Sequence, residues 1–183
     1  MSKEMFTSPK GDLKWVFVTA PGRLNNLNGQ MEYTVSVSMS AEDAAPGVDA
    51  LDTLWDENKP KGAKAPKSMG YRVDEETGDV TFNFKTKTTY PSGDVKEIRI
   101  YNAKADAIKI PEGTKIGNGS RGRVSGMASI YDAGPAARGV TLYLDAVQLV
   151  KFVEYVGADD FESEEDGFDG FGDQLPFTPE ELD

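Results

Sequence analysis

Apolar residues recur at every second position through most of the chain up to about residue 150, and no other feature restricts the fold as strongly. In QMEYTVSVSM (residues 30–39), Met31, Tyr33, Val35, Val37 and Met39 share one face, and Glu32, Thr34, Ser36 and Ser38 the other. A period of two matches the pleat of a strand buried on one side, not the 3.6-residue turn of a helix. The same alternation sets Val80, Phe82 and Phe84 against Asn83, Lys85 and Lys87 in residues 79–90. It sets Ile98 and Ile100 against Arg99 and Tyr101 in residues 96–101. Two later segments would bury Val124, Ala128 and Ile130 (residues 123–131) and Val140, Leu142 and Leu144 (residues 138–150). LKWVFVT (residues 13–19) also reads as a strand, closed by Pro21-Gly22; it offers a core on either parity, and Trp15 and Phe17 are expected to be packed. Asn28-Gly29 is a favoured hairpin turn.

The alternation breaks once. In residues 42–58, Val48, Leu51 and Trp55 recur at helical spacing, with Glu42 and Asp43 where the helix dipole favours acids. The following KPKGAKAPKSMG is a loop by its Lys, Pro and Gly content. Six strands, glycine-rich corners and one inserted helix define a mainly β chain, and the expected fold is an OB-fold-like antiparallel β-barrel. The domain plan is an N-terminal arm (residues 1–12), the barrel (13–157) and a disordered acidic tail (158–183).

Charge is divided along the same lines. Of the 31 Asp and Glu, 11 lie in residues 158–183, which hold none of the 20 Lys and Arg; the other 20 acids balance the body. The net charge of -11 therefore belongs to the tail. The tail also carries Phe161, Phe168, Phe171 and Phe177, which a purely solubilising segment would not need.

Composition excludes several function classes. There is no Cys, hence no disulfide framework, thiol nucleophile or thiolate metal site, and no His, the commonest general base and zinc ligand. No apolar run approaches the roughly 18 residues of a membrane span, and the N-terminus lacks a signal-peptide core, so a cytoplasmic protein is expected. Gly117-Asn118-Gly119-Ser120-Arg121-Gly122 has the GxGxxG spacing, but a dinucleotide site needs a helix after it, and here a strand pattern follows. The tail acids lack the ligand order of an EF-hand, and the body acids do not cluster as a two-metal nuclease would require. No catalytic residue, cofactor or metal is expected.

The outward strand positions carry the functional signal. By parity they include Lys85, Lys87, Arg99, Tyr101, Arg121, Arg123, Tyr131 and Tyr143, with cations and rings interleaved. Single-stranded nucleic acid asks for that combination, because cations follow its backbone and unpaired bases stack on flat rings. An alternating Lys/Thr face that is merely solvated is the competing reading.

The order of parts resembles the single-stranded DNA-binding proteins that bacteriophages encode for their own replication, in the branch with an OB-fold and a long acidic tail. The likeness spans nearly the whole chain: MSKEMFTSPKG, VTFNFKTK, IGNGSRGRVSGMASIY, VTLYLDAVQLVKFVEYVG and the acidic end. It implies DNA-contacting roles for Lys3, for Lys85 in the F-x-F-K pattern, and for Tyr131, which closes SIY. The family pattern can place a second lysine between the two phenylalanines, where this chain has Asn83. Family tails often end on an aromatic residue gripped by partners; this one ends Glu180-Glu181-Leu182-Asp183, leaving Phe161, Phe168, Phe171, Phe177 or Leu182 as the anchor beside Asp183. A standard OB-fold also carries its helix later than residues 42–58.

The resemblance implies a non-enzymatic protein that coats unpaired DNA in the infected bacterial cytoplasm, with a phage DNA polymerase and helicase–primase as partners. A homodimer formed by exchanging tails is left open. The tail, tethered at mM effective concentration, is expected to imitate DNA in the groove. The rival reading is a protein–protein module whose acidic tail mimics DNA to occupy another nucleic-acid-binding protein.

Overall fold

The alternating segments pair in a closed circuit. The computed structural model describes residues 2–155. Its elements run β1 (Lys3–Thr7), β2 (Gly11–Phe17), β3 (Arg23–Asn25), β4 (Gln30–Met39), α1 (Ala41–Asn58), β5 (Tyr71–Val73), β6 (Val80–Lys87), β7 (Arg99–Tyr101), β8 (Ala107–Ile108), β9 (Arg121–Asp132) and β10 (Arg138–Lys151). Pairings β2–β4, β4–β6, β6–β10, β10–β9 and β9–β2 join five strands into a ring. An odd number of strands cannot alternate direction all the way round, so one pair must run parallel. That pair is β6–β10. The expected barrel is thus antiparallel except at this seam, where β7 also joins β10 in parallel. Closure and strand order match an OB-fold.

The inward set is the expected one. Val35, Val37, Phe82, Phe84, Val124, Val140 and Leu142 are fully buried. Each such side chain stabilises the fold by about 1.5–3 kcal/mol relative to exposure. At Gly122 and Gly126 of β9 a Cβ would stand 1.8 and 1.7 Å from the carbonyl oxygens of Gln148 and Tyr143. Only glycine lets β9 coil this closely onto β10.

The residues assigned to an arm include strand β1, antiparallel to β9, whose Phe6 is buried and stacks on Phe84 with ring centroids 6.0 Å apart. Helix α1 is capped by Ser40, whose Oγ accepts the Asp43 backbone N–H at 3.2 Å. It buries Ala44, Gly47, Leu51, Leu54 and Trp55. A Cβ on Gly47 would lie 2.8 Å from the Phe82 ring, so the helix packs directly on the core. The helix precedes the third ring strand, β6, as the sequence pattern indicated. The GxGxxG segment leads into β9, not a helix, and its buried Ser120 exchanges two hydrogen bonds with the Val153 backbone (2.9 and 3.1 Å). No helix among the described residues is long and apolar enough to cross a membrane.

Candidate nucleic-acid interface

The outer face of β2, β4 and β6 begins with a break in pairing. Register runs from Lys14 opposite Ser36 to Phe17 opposite Thr34, so β2 holds one extra residue. This is a β-bulge, and a bulge re-aims side chains. Trp15 sits in it with φ 52°, the left-handed region that bulky residues avoid. The bulge overturns the expectation that Trp15 and Phe17 are packed. Leu13 points inward, Trp15 occupies the extra position, and Val16 and Val18 turn in, so Trp15 and Phe17 both face out, 64% and 37% exposed. Strict alternation from Leu13 would have buried both rings.

Arg23 of β3 lies over this pair, its guanidinium 5.6 Å from the Trp15 ring centroid and 5.7 Å from that of Phe17. Trp15 and Arg23 form one edge of a cleft of about 810 Å3. Its cations are Arg23, Lys67, Arg72 and Lys85, its rings include Trp15, Tyr71 and Tyr131, and no acid among the described residues lines it. Hydroxyl and amide groups of Thr34, Ser36, Asn83 and Thr141 fill the floor, with Ser36 donating to Asn83 Oδ1 at 2.7 Å. Such a surface attracts anions, offers π-faces and presents hydrogen-bonding groups to bases and sugars.

Each wall is held in place. The Lys-rich loop docks on the start of β10: Lys67 N–H donates to Arg138 O (2.7 Å), and Val140 N–H to Ser68 O (2.8 Å). Gly139 permits this, since a Cβ there would meet Ser68 O at 2.1 Å. The Tyr71 hydroxyl donates to Asp52 Oδ1 on α1 at 2.8 Å. Burial first, then this carboxylate partner, pushes the phenol up to about 12. Beside Tyr131, Arg138 donates to Asp132 at 2.8 Å and, with the Gly134 N–H, holds that carboxyl below its ordinary value.

The residues expected to bind DNA do not all share this cleft. Lys85 and Tyr131 line it. Arg99, Tyr101 and Arg123 line a second cleft of about 330 Å3, together with Thr7, Ser125, Ala146 and Gln148. Tyr143, 47% exposed, stands opposite Lys85 on β10 and belongs to neither. Lys87 is exposed on β6, outside both clefts, and Arg121 is 3.6 Å from Asp12 at the start of β9. Lys3 is exposed on β1, in register with Ser129 and, across β9, with Thr141 of the first cleft. Phe161, Phe168, Phe171, Phe177, Leu182 and Asp183 lie outside the described residues.

Sequence reasoning missed Arg23, Lys67 and Arg72 and misplaced Trp15 and Phe17. Val16 and Val18 carried the correct parity for the second half of β2, and the density of lysine in residues 59–67 marked the loop as cationic.

The fold is similar to that of solved single-stranded DNA-binding proteins encoded by bacteriophages. One solved relative in fold is gp2.5, the single-stranded DNA-binding protein of bacteriophage T7. It is 22% identical over 90% of this chain and 100% of its own, with a TM-score of 0.66. Another is the single-stranded DNA-binding protein of bacteriophage Enc34 in complex with ssDNA, 14% identical over 84% of this chain and 89% of that one (TM-score 0.56). A C-terminal truncation of the Enc34 protein is 12% identical over 82% and 87% (TM-score 0.57). No protein-family profile matches the chain, and no curated protein sequence matches it significantly.

Proposed function

We propose that the protein binds unpaired DNA with little sequence preference, seating the strand in the cleft between Trp15 and Tyr131. One observation carries the reading: four cations and four aromatic residues, with no acid among the described residues, line one open cleft, on a fold similar to that of phage proteins of that activity. Arg23, Lys67, Arg72 and Lys85 neutralise phosphates; Trp15 and Tyr131 stack bases, at about 1–3 kcal/mol each. Nothing in this arrangement reads one base over another, because every base has a π-face. Lys3, Lys87 and Arg121 add backbone contacts at the margins. A duplex hides its base faces and gains only the electrostatic part.

The role follows as a non-enzymatic coat for single strands in phage DNA replication and recombination. The acidic segment 158–183 competes for the same cleft with carboxylates in place of phosphates and Phe161, Phe168, Phe171 and Phe177 in place of bases. When DNA displaces it, the segment recruits basic partners such as a phage DNA polymerase or helicase–primase, with a phenylalanine or Leu182 as anchor.

Titration of labelled oligo-dT at low salt, with and without residues 158–183, tests both parts. Expected are retention of oligo-dT by the full chain, tighter binding by the truncated one, and loss of polymerase stimulation on truncation. Failure of both proteins to hold oligo-dT in dilute buffer would overturn the reading. Unchanged affinity on truncation would remove the competition.

A further inference from the structure

The two clefts flank one seam of the sheet. Strand β10 meets β6 and then β7 in parallel along the same edge, Tyr143 opposite Lys85, Ala146 opposite Arg99 and Gln148 opposite Tyr101. On its other edge the same three residues face Met127, Ser125 and Arg123 of β9. Successive rows across the outer surface can therefore be read from the register. One row is Phe17, Thr34, Lys85, Tyr143, Met127 and Met5, from the first cleft across to β1. The next is Arg99, Ala146, Ser125 and Thr7, and beyond it stand Tyr101, Gln148 and Arg123. The middle row has small side chains on three of its four strands, so it forms a trough between two taller rows. That trough is the second cleft.

We propose that the Arg99–Tyr101–Arg123 cleft is the second station of the same bound strand. Resting on the reading of the first cleft, this assigns the strand a path from Trp15, over Lys85 and Tyr143, down the β6–β10–β7 seam. Lys85 and Tyr143 stand side by side on the crest between the clefts, a cation for the backbone and a half-exposed ring for a base. Charge and shape continue in the second cleft: two guanidiniums and the Tyr101 ring rise over a low floor. Arg123 is oriented by Gln148, to whose Oε1 it donates at 3.3 Å; Gln148 Nε2 is held in turn by the Asn102 and Ala103 carbonyls (3.3 Å each).

Arg99 is ion-paired with Asp145, at the residue where β10 bulges between Leu144 and Ala146. A phosphate entering the cleft exchanges with Asp145 for Arg99, so the second station is weaker than the first until that carboxylate is removed. Three inter-strand steps from Trp15 through Lys85 to Tyr143 and five residues from Tyr143 to Gln148 give a path of about 30 Å. At the 3.4 Å rise of stacked bases it spans at most about nine nucleotides.

Oligo-dT of about four and about twelve nucleotides is titrated by anisotropy against the full chain and its Tyr101→Ala, Arg123→Ala, Tyr101→Phe and Asp145→Asn variants, with melting curves for each. Expected for Tyr101→Ala is a loss of roughly 5- to 150-fold with the longer strand and none with the shorter. Tyr101→Phe retains the affinity, Arg123→Ala weakens only the longer strand, and Asp145→Asn tightens only the longer one. Equal losses at both lengths, or none at the longer, overturn the proposal while short-strand binding upholds the first cleft. A gain of affinity in Tyr101→Ala or Arg123→Ala also overturns it, assigning the cleft to the chain's own acidic segment. If neither length binds the unaltered chain, both readings fall together.

Discussion

Trp15→Gly separates the contribution of the first cleft to binding from its contribution to stability. In binding, one base stack is removed, a loss of about 1–3 kcal/mol or roughly 5- to 150-fold in Kd. In folding, the effects oppose each other. A left-handed backbone costs a non-glycine residue roughly 1–2 kcal/mol, and glycine at φ 52° relieves it. Against this stands the cation–π contact with Arg23, about 0.5–1 kcal/mol at an exposed position. The side chain is 64% exposed, so about a third of its surface leaves the protein, worth about 2 kcal/mol. The sum is a loss of about 1 kcal/mol, or about 2–4 °C in Tm for a chain of this size. The assay is anisotropy of labelled oligo-dT beside a thermal melt. Trp55→Ala is the control, since that side chain is 5% exposed in the core and its truncation lowers stability by about 3–5 kcal/mol. A Trp15→Gly protein that melts as expected yet holds oligo-dT as tightly as the unaltered chain refutes the assignment of Trp15 to base stacking.

Other consequences are as specific. Lys85→Ala is expected to lower the log–log dependence of affinity on salt by about 0.7, one phosphate contact on a single strand, measured by repeating the titration across salt concentrations. Tyr71 is raised from an ordinary 10.0 to about 12, so its contribution is complete below pH 10 and lost as pH rises from 10 to 12. Melting across that window is expected to fall less steeply in Tyr71→Phe. Gly139→Ala places a methyl 2.1 Å from Ser68 O and is expected to destabilise by about 1–3 kcal/mol, to free the Lys67 loop and to weaken oligo-dT binding.

The sequence made the barrel legible because its inward and outward faces differ so sharply. Val35, Val37, Phe82, Phe84 and Val140 can be placed by counting in twos, and their burial then forces a sheet that curls over one core. Strands β1, β3, β5 and β8 were not legible; at two to five residues they are too short for a period to emerge. The parallel seam at β6–β10 follows from closing an odd ring, which no local pattern encodes. At the candidate site the limit was β2: one inserted residue inverts the parity of everything after it, and that inversion exposes Trp15 and Phe17. Arg23, Lys67 and Arg72 reach the cleft through tertiary pairing, by a three-residue strand, a docked loop and another three-residue strand. The parity rule did find Arg99, Tyr101 and Arg123 as outward residues, but outward on a closed barrel means several directions.

The two tryptophans allow the central claim to be tested directly, since Trp15 is exposed in the cleft and Trp55 is buried on the inner face of α1. Fluorotryptophan labelling gives one 19F resonance for each, assigned through Trp15→Gly. Addition of oligo-dT is expected to shift the Trp15 signal and leave Trp55 in place, with duplex DNA moving Trp15 far less. A Trp15 signal that stays fixed while oligo-dT is bound would contradict the claim that the strand lies in this cleft.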